Sequence, residues 1–224
     1  MSPAKTQPEH RHIFILPNYS EPRELLQETI NQLVVHPFAK SHYILVLAME
    51  ASEVGSAEKA DRLVDLFKQD FLDIYISIHP KDLPGEARGK ASNVNYAARN
   101  AIPFLAKKYP SVEIQEYFIT VMDSDAWIPP LYVSEIEARL VTDDKLSTIY
   151  CPPIFFSRNA SQVPAVVRLT DIMWSCMVMQ NLQPNQDLMF PCSTYTLNAS
   201  LAKQVGFWDT TFEAIGEDMH MFVF

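Results

Sequence analysis

Residues 118–130 read FITVMDSDAWIPP, an apolar run ending in two carboxylates one residue apart, Asp123 and Asp125. A carboxylate at the end of a core strand is costly unless its charge is compensated. In an extended segment residues i and i+2 point to the same side, so the two carboxylates are expected to converge on one point just past the strand. Two anionic oxygens there suit a hard divalent cation, Mg2+ or Mn2+, that bridges to a diphosphate. Asp-Ser-Asp is also a common turn sequence whose side chains bond the local backbone, so the tripeptide alone leaves both readings open.

A second acidic pair, Glu217–Asp218, lies in GFWDTTFEAIGEDMH (206–220) after an aromatic, glycine-bounded stretch. It reads either as the acidic first turn of a helix, favoured by the helix dipole, or as a general base facing the metal site. His220 is a third ligand on one reading and a structural histidine on the other. Glycine is scarce: Gly55, Gly85, Gly89, Gly206 and Gly216 fit neither GxGxxG nor GxxxxGK[ST]. A nucleotide here is not cradled by a glycine loop, and a metal held by carboxylates is the obvious substitute for that positive charge.

The elements that must position these residues follow from periodicity. HIFILP (12–17), YILVLAM (43–49), DIYISIH (73–79) and EYFITVM (116–122) read as strands. The early ones are apolar throughout, as strands buried on both faces of a parallel sheet are. Helices are expected over 20–35, with Pro22 in the first turn, over 56–71, and over 90–102, where Pro103 interrupts or restarts the helix. Further helices are expected over 130–141 and 164–182, and over 199–206 with its stop at Gly206. A strand over 147–156 is broken by Pro152 and Pro153, and 192–198 is short and strand-like. Strands alternating with helices imply an α/β class, a three-layer α/β/α domain with ligands beyond the carboxyl ends of its strands. The polar residues 1–11 read as a disordered tail, with one domain over 12–224.

A net charge of -9 argues against a general nucleic-acid binder, which needs a basic face. Three cysteines without CxxC spacing fit a reduced intracellular compartment. MSPAKTQPEHRH lacks an apolar signal core, and 172–186 is too short and too polar to span a bilayer. Helix 164–182, whose charges are Arg168 and Asp171, packs on the sheet or rests against membrane elements or a lipid surface, and the sheet is favoured.

Taken in order, these pieces resemble the family 2 glycosyltransferases, inverting enzymes of the GT-A fold (nucleotide-diphospho-sugar transferases, a mostly parallel sheet in an α/β/α sandwich) that use nucleotide-sugar donors. ILPNYSEP (15–22) is similar to the opening strand and turn, with Ser20 where Asn is usual and Glu21 keeping the acid. LAMEASE (47–53) occupies the acidic strand end that holds base and ribose, with Glu50 where Asp is usual. GKASNVNYAAR (89–99) puts Lys90 and Asn95 in register with the Gly-Lys…Leu-Asn segment. VMDSDAWIPP matches the DXD element and IGEDMH the Glu-Asp element.

The resemblance implies that Asp125 binds a metal, Mn2+ or Mg2+, on the donor diphosphate. Asp123 contacts that metal or the donor's ribose and sugar. Asp218, beside Glu217, accepts the proton of the acceptor hydroxyl. Lys90 reaches a phosphate or carboxylate, Asn95 holds the loop or the donor, and Pro17 and Tyr19 line the base pocket. Trp127, Phe207 and Trp208 are candidates to stack on sugar rings, with Trp208 best placed beside the acidic pair. The donor is expected to be a UDP-sugar and the acceptor a carbohydrate or a lipid-linked one. The expected location is the cytoplasm, or the cytosolic face of a membrane through elements absent from this chain. The sequence stops six residues after Asp218, where family members continue, so the domain is expected to be incomplete at its C-terminus. A nucleotide-sugar binder without turnover is therefore the alternative. A sugar-nucleotide pyrophosphorylase is disfavoured, since PNYSEP lacks the glycine-rich basic loop of that class.

Overall fold

The computed structural model describes residues 8–179, 192–211 and 216. A six-stranded sheet of order β3-β2-β1-β4-β6-β5 forms its centre. Four parallel strands, β1 (Arg11–Pro17), β2 (Tyr43–Glu50), β3 (Asp73–His79) and β4 (Tyr117–Val121), are continued by β6 (Tyr195–Asn198) and β5 (Ile149–Tyr150), each pairing antiparallel. Alternate residues of β1 and β2 feed two cores. Ile13, Ile15, Ile44 and Val46 face helix α4 (Lys90–Lys108). Phe14, Leu16, Leu45 and Leu47 face α1 (Arg23–Val34) and α3 (Ser56–Phe67). That two-sided burial is why these strands read as unbroken apolar runs.

The crossovers through α1 and α3 share one face, and the crossover through α4 lies on the other. The face therefore changes beside β1, between β2 and β4, and a crevice opens there at the carboxyl ends of the strands.

Several expected boundaries shift for physical reasons. Pro22 caps α1 instead of lying in its first turn: its carbonyl accepts the first helical bonds, from the Leu25 and Leu26 amides. The helix expected to end before Pro103 runs through it to Lys108. An interior proline costs roughly 3 kcal/mol, but Ala98, Ala101 and Leu105 flank it, buried against the sheet. The strand expected over 147–156 shortens to Ile149–Tyr150, because prolines 152 and 153 have no N–H to give a ladder. Helix α7 (Ala199–Gln204) stops as expected: Gly206, at φ 84, and Phe207 return their amides to Lys203 and Ala202.

The expectation that α6 (Ala165–Met179, following α2 over Ala39–His42 and α5 over Tyr132–Arg139) packs on the sheet is not met. Val178 is its buried side chain; Val166, Leu169, Met173 and Trp174 are exposed. No helix among the described residues is long and apolar enough to cross a membrane.

Residues 8–11, expected in the tail, already belong to the fold. Pro8 is buried, and Arg11 opens β1. Glu137 of α5 accepts bonds from the Glu9 amide (3.2 Å), the His10 amide (3.3 Å), His10 Nδ1 (3.0 Å) and His12 Nε2 (2.8 Å). Burial pushes the Glu137 carboxyl up, but the bonds from His10 and His12 outweigh it and hold it well below the usual carboxylate range. Burial pushes His12 and His36 below the ordinary histidine value of 6.5.

The signs agree. On acidification the unfolded chain protonates these histidines before the folded one does, and later protonates Glu137 first as well, so stability falls with pH. The urea midpoint is expected to drop between pH 7.5 and pH 5.0. An equal or higher midpoint at pH 5.0 contradicts this reading.

Candidate active site

A cavity of about 560 Å3 occupies the crevice at the ends of β1 to β4, lined by Pro17, Tyr19, Glu50, His79, Lys90 and Asp123 among others. At the end of β1 the Asn18 amide donates to Ala48 O at 2.8 Å. Glu21 then closes the turn by accepting the Tyr19 and Ser20 amides at 2.7 and 3.1 Å, which leaves the Tyr19 ring exposed at the rim. Lys59 of α3 donates to Asn18 Oδ1 (3.1 Å) and Glu21 O (2.8 Å) and pairs with Glu53, fixing the turn from behind. Glu50 ends β2, where burial pushes its carboxyl up against the opposing bond from His79.

Across the cavity, Asp123 ends the β4 segment. Its Oδ1 accepts from Lys90 Nζ at 2.7 Å, and its Oδ2 accepts from the Ser193 hydroxyl. Ser193 adopts φ 58, a left-handed conformation uncommon for a residue with a side chain. Two bonds from α1 and the turn after it hold the loop beyond: Thr29 Oγ1 donates to Ser124 O at 2.7 Å, and His36 Nε2 to Ile128 O at 2.9 Å.

The expected convergence of Asp123 and Asp125 rested on an extended segment, and the structure shows a turn. The Ala126 amide donates to Asp123 O at 3.1 Å, so the i, i+2 rule for strands does not apply. Asp123 faces the first cavity. Asp125 is exposed and lines a second cavity of about 600 Å3, with Trp127, Tyr132, Phe155, Phe156 and Arg158. Ser193 joins the two, lining the second while bonding Asp123 in the first. Arg158 stacks 5.3 Å over Trp127 and donates to Asp125 O at 3.0 Å. Among the described residues no three His, Cys, Asp or Glu side chains form a metal-binding group. The exposed carboxylate of Asp125 by itself suits Mg2+ or Mn2+ with a diphosphate, since such ions are held by as few as one carboxylate and complete their shells with phosphate and water.

Two expected site residues lie elsewhere. Asn95 is buried beside Arg99, whose Nε donates to its Oδ1 at 3.2 Å, and it does not line the cavity. Helical geometry explains the misplacement: three residues on from Lys90 is the same face, and five residues on is not. The residue brought beside Lys90 is Asn93, which is 2% exposed. Its Nδ2 donates to Ala48 O (2.8 Å) and Asn18 O (3.4 Å), while its Oδ1 has no protein partner. A buried acceptor lacking a donor, on a cavity wall, suits a ligand hydroxyl or N–H. Trp208 is 3% exposed in the α4-side core and donates to Tyr195 OH at 2.5 Å, so it is no platform for a sugar. Trp127 is 52% exposed and lines the second cavity beside Asp125.

Glu217, Asp218 and His220 lie outside the described residues. Gly216 lines a small cavity together with Arg88, Gly89 and Lys90, residues that also line the first.

Residues 118–223 match the family model described as glycosyl transferase family group 2. Among solved structures the chain is similar to the mannosyltransferase PcManGT from Pyrobaculum calidifontis, in complex with GDP-Man and Mn2+. Identity is 17% and the TM-score 0.59, over 98% of this chain and 52% of that one. It is similar to TarS from S. aureus at 16% identity and TM-score 0.59, over 94% of this chain and 32% of that one. A form of TarS spanning 1–349, in complex with UDP, aligns at 15% identity and TM-score 0.54, over 95% of this chain and 54% of that one. The chain thus spans about half the length of these proteins or less. A search of curated proteins finds no match. With this strand order and these structural likenesses, the chain carries the GT-A fold, and its residues 118–223 match the model of glycosyl transferase family group 2.

Proposed function

We propose that the chain transfers a sugar from a nucleoside-diphosphate sugar, a UDP-sugar in the first instance, to an acceptor hydroxyl with inversion and with the help of a divalent metal. The observation that carries this reading is Asp123, tied to Lys90 at 2.7 Å, in a cavity that Glu50 lines with it at the fold's switch point. Tyr19 and Pro17 line the base end, Glu50 and Asn93 accept from base or ribose, and Lys90 sits where a phosphate oxygen would displace its bond to Asp123. Asp123 orients ribose or sugar, and Asp125, with Asp123 as neighbour, holds the metal. When bound, that metal neutralises charge on the departing diphosphate.

Asp218 takes the acceptor's proton as its oxygen bonds to the anomeric carbon. The bond from that carbon to the diphosphate oxygen breaks, and its electron pair leaves with the nucleotide. The position of Gly216 beside Arg88 and Lys90 supports this role for Asp218. The aromatic second cavity, opening on Asp125 and Ser193, suits a carbohydrate or lipid-linked acceptor.

Thermal shift with Mn2+ across UDP- and GDP-sugars tests the donor, because PcManGT is in complex with GDP-Man and TarS with UDP. One sugar nucleotide is expected to raise the melting temperature only with Mn2+, and to release nucleotide when acceptor is present. Stabilisation without release leaves a donor-binding protein; no stabilisation by any donor refutes the proposal.

A further inference from the structure

His79 lies between two carboxylates at the end of the cavity away from Asp123. Its Nδ1 is 3.1 Å from Glu50 Oε2 and its Nε2 is 3.2 Å from Glu86 Oε2. A neutral imidazole has one N–H, so both contacts are hydrogen bonds only if the ring carries a second proton or one carboxyl is protonated. The ring is buried, and its edge meets Tyr96 of α4 at 5.3 Å. The other charged groups on this side are Lys81, Asp82 and Arg88, on the same loop as Glu86, where Arg88 pairs with Asp82. Glu50 Oε1 takes no protein bond among the described residues, and Glu50 lines the cavity.

We propose that His79 is a positioning residue for the nucleobase. Held between Glu50 and Glu86, it fixes the remaining Glu50 oxygen as an acceptor for a base that presents a ring N–H, and it anchors the loop over 80–89 that lines the same cavity. Uracil and guanine carry such a ring N–H; cytosine and adenine do not. The inference rests on the cavity being the donor site.

The test measures Mn2+-dependent affinity for UDP, GDP and CDP in the wild type, His79→Phe and Glu86→Gln. Glu86 is on the partly exposed loop, so that variant keeps the core intact. The wild type is expected to favour UDP or GDP over CDP about tenfold. Both variants are expected to lose most of that discrimination. Variants that melt as the wild type does and keep its discrimination overturn the role of His79 alone. A wild type that binds none of the nucleotides overturns the donor-site reading with it.

Discussion

Asp125→Ala is expected to weaken Mn2+-dependent nucleotide-sugar binding by roughly 10²-fold or more, the size of effect that several kcal/mol of charge neutralisation implies. It is expected to leave the melting temperature within a few degrees of the wild type. The two halves of this result have separate causes. Asp125 is exposed, and the bond that ties its residue to Arg158 uses its backbone carbonyl, which alanine keeps. Surface changes of that kind usually stay within about 0.5 kcal/mol. Asp123→Asn is the companion variant and differs in kind. Asp123 is paired to Lys90 and bonded by Ser193, so its loss disturbs the cavity wall even without ligand. Titration calorimetry with and without Mn2+ separates them: Asp125→Ala should bind the nucleotide as weakly with Mn2+ as the wild type does without it. Equal Mn2+-dependent affinity in the wild type and Asp125→Ala would remove the metal from Asp125.

What the residues disclosed and what they hid divides along sequence distance. Strands β1, β2 and β4 were legible because both of their faces are buried, which leaves unbroken apolar runs. Pro17, Glu50 and Asp123 were legible because each stands at or just past the carboxyl end of such a run, where an α/β sheet puts its ligands. The passage of α4 through Pro103 was not legible, because packing against a distant sheet decides it and local propensity does not. Asn93 hid behind Asn95 until helix phase was considered. Trp208 was misplaced because adjacency to the acidic pair says nothing about which way a side chain faces. The bond from Ser193 to Asp123 spans 70 residues, and the bond from His79 to Glu50 spans 29. No local pattern encodes a pair of that kind; His79 reads as one more strand residue until the sheet sets β3 beside β2. The Asp123–Asp125 turn was the subtler miss. The tripeptide admitted both an extended and a turned geometry, and the Ala126 amide selects the turn.

Asp218→Asn is expected to do the opposite of Asp125→Ala: nucleotide-sugar affinity stays at the wild-type value while turnover falls roughly 10²–10⁴-fold, the contribution of a positioned base. Asparagine keeps the shape of the side chain and removes its capacity to take a proton. A loss confined to kcat therefore marks an interaction made only as the acceptor oxygen attacks. The pH profile sharpens the result. In the wild type, kcat falls on the acid side as the base is protonated; in Asp218→Asn the residual rate should lose that limb. Glu217→Gln serves as the internal control, since neighbours on one chain segment do not point the same way and only one of the pair can face the reacting hydroxyl. If Glu217→Gln shows the large loss and Asp218→Asn does not, the base is Glu217 and the mechanism otherwise stands. If neither variant lowers a measurable wild-type rate, proton abstraction is performed elsewhere. If the wild type binds donor as Asp125 predicts yet releases nucleotide no faster than either variant, the chain is a donor-binding protein, and the carboxylates at 123 and 125 serve recognition alone.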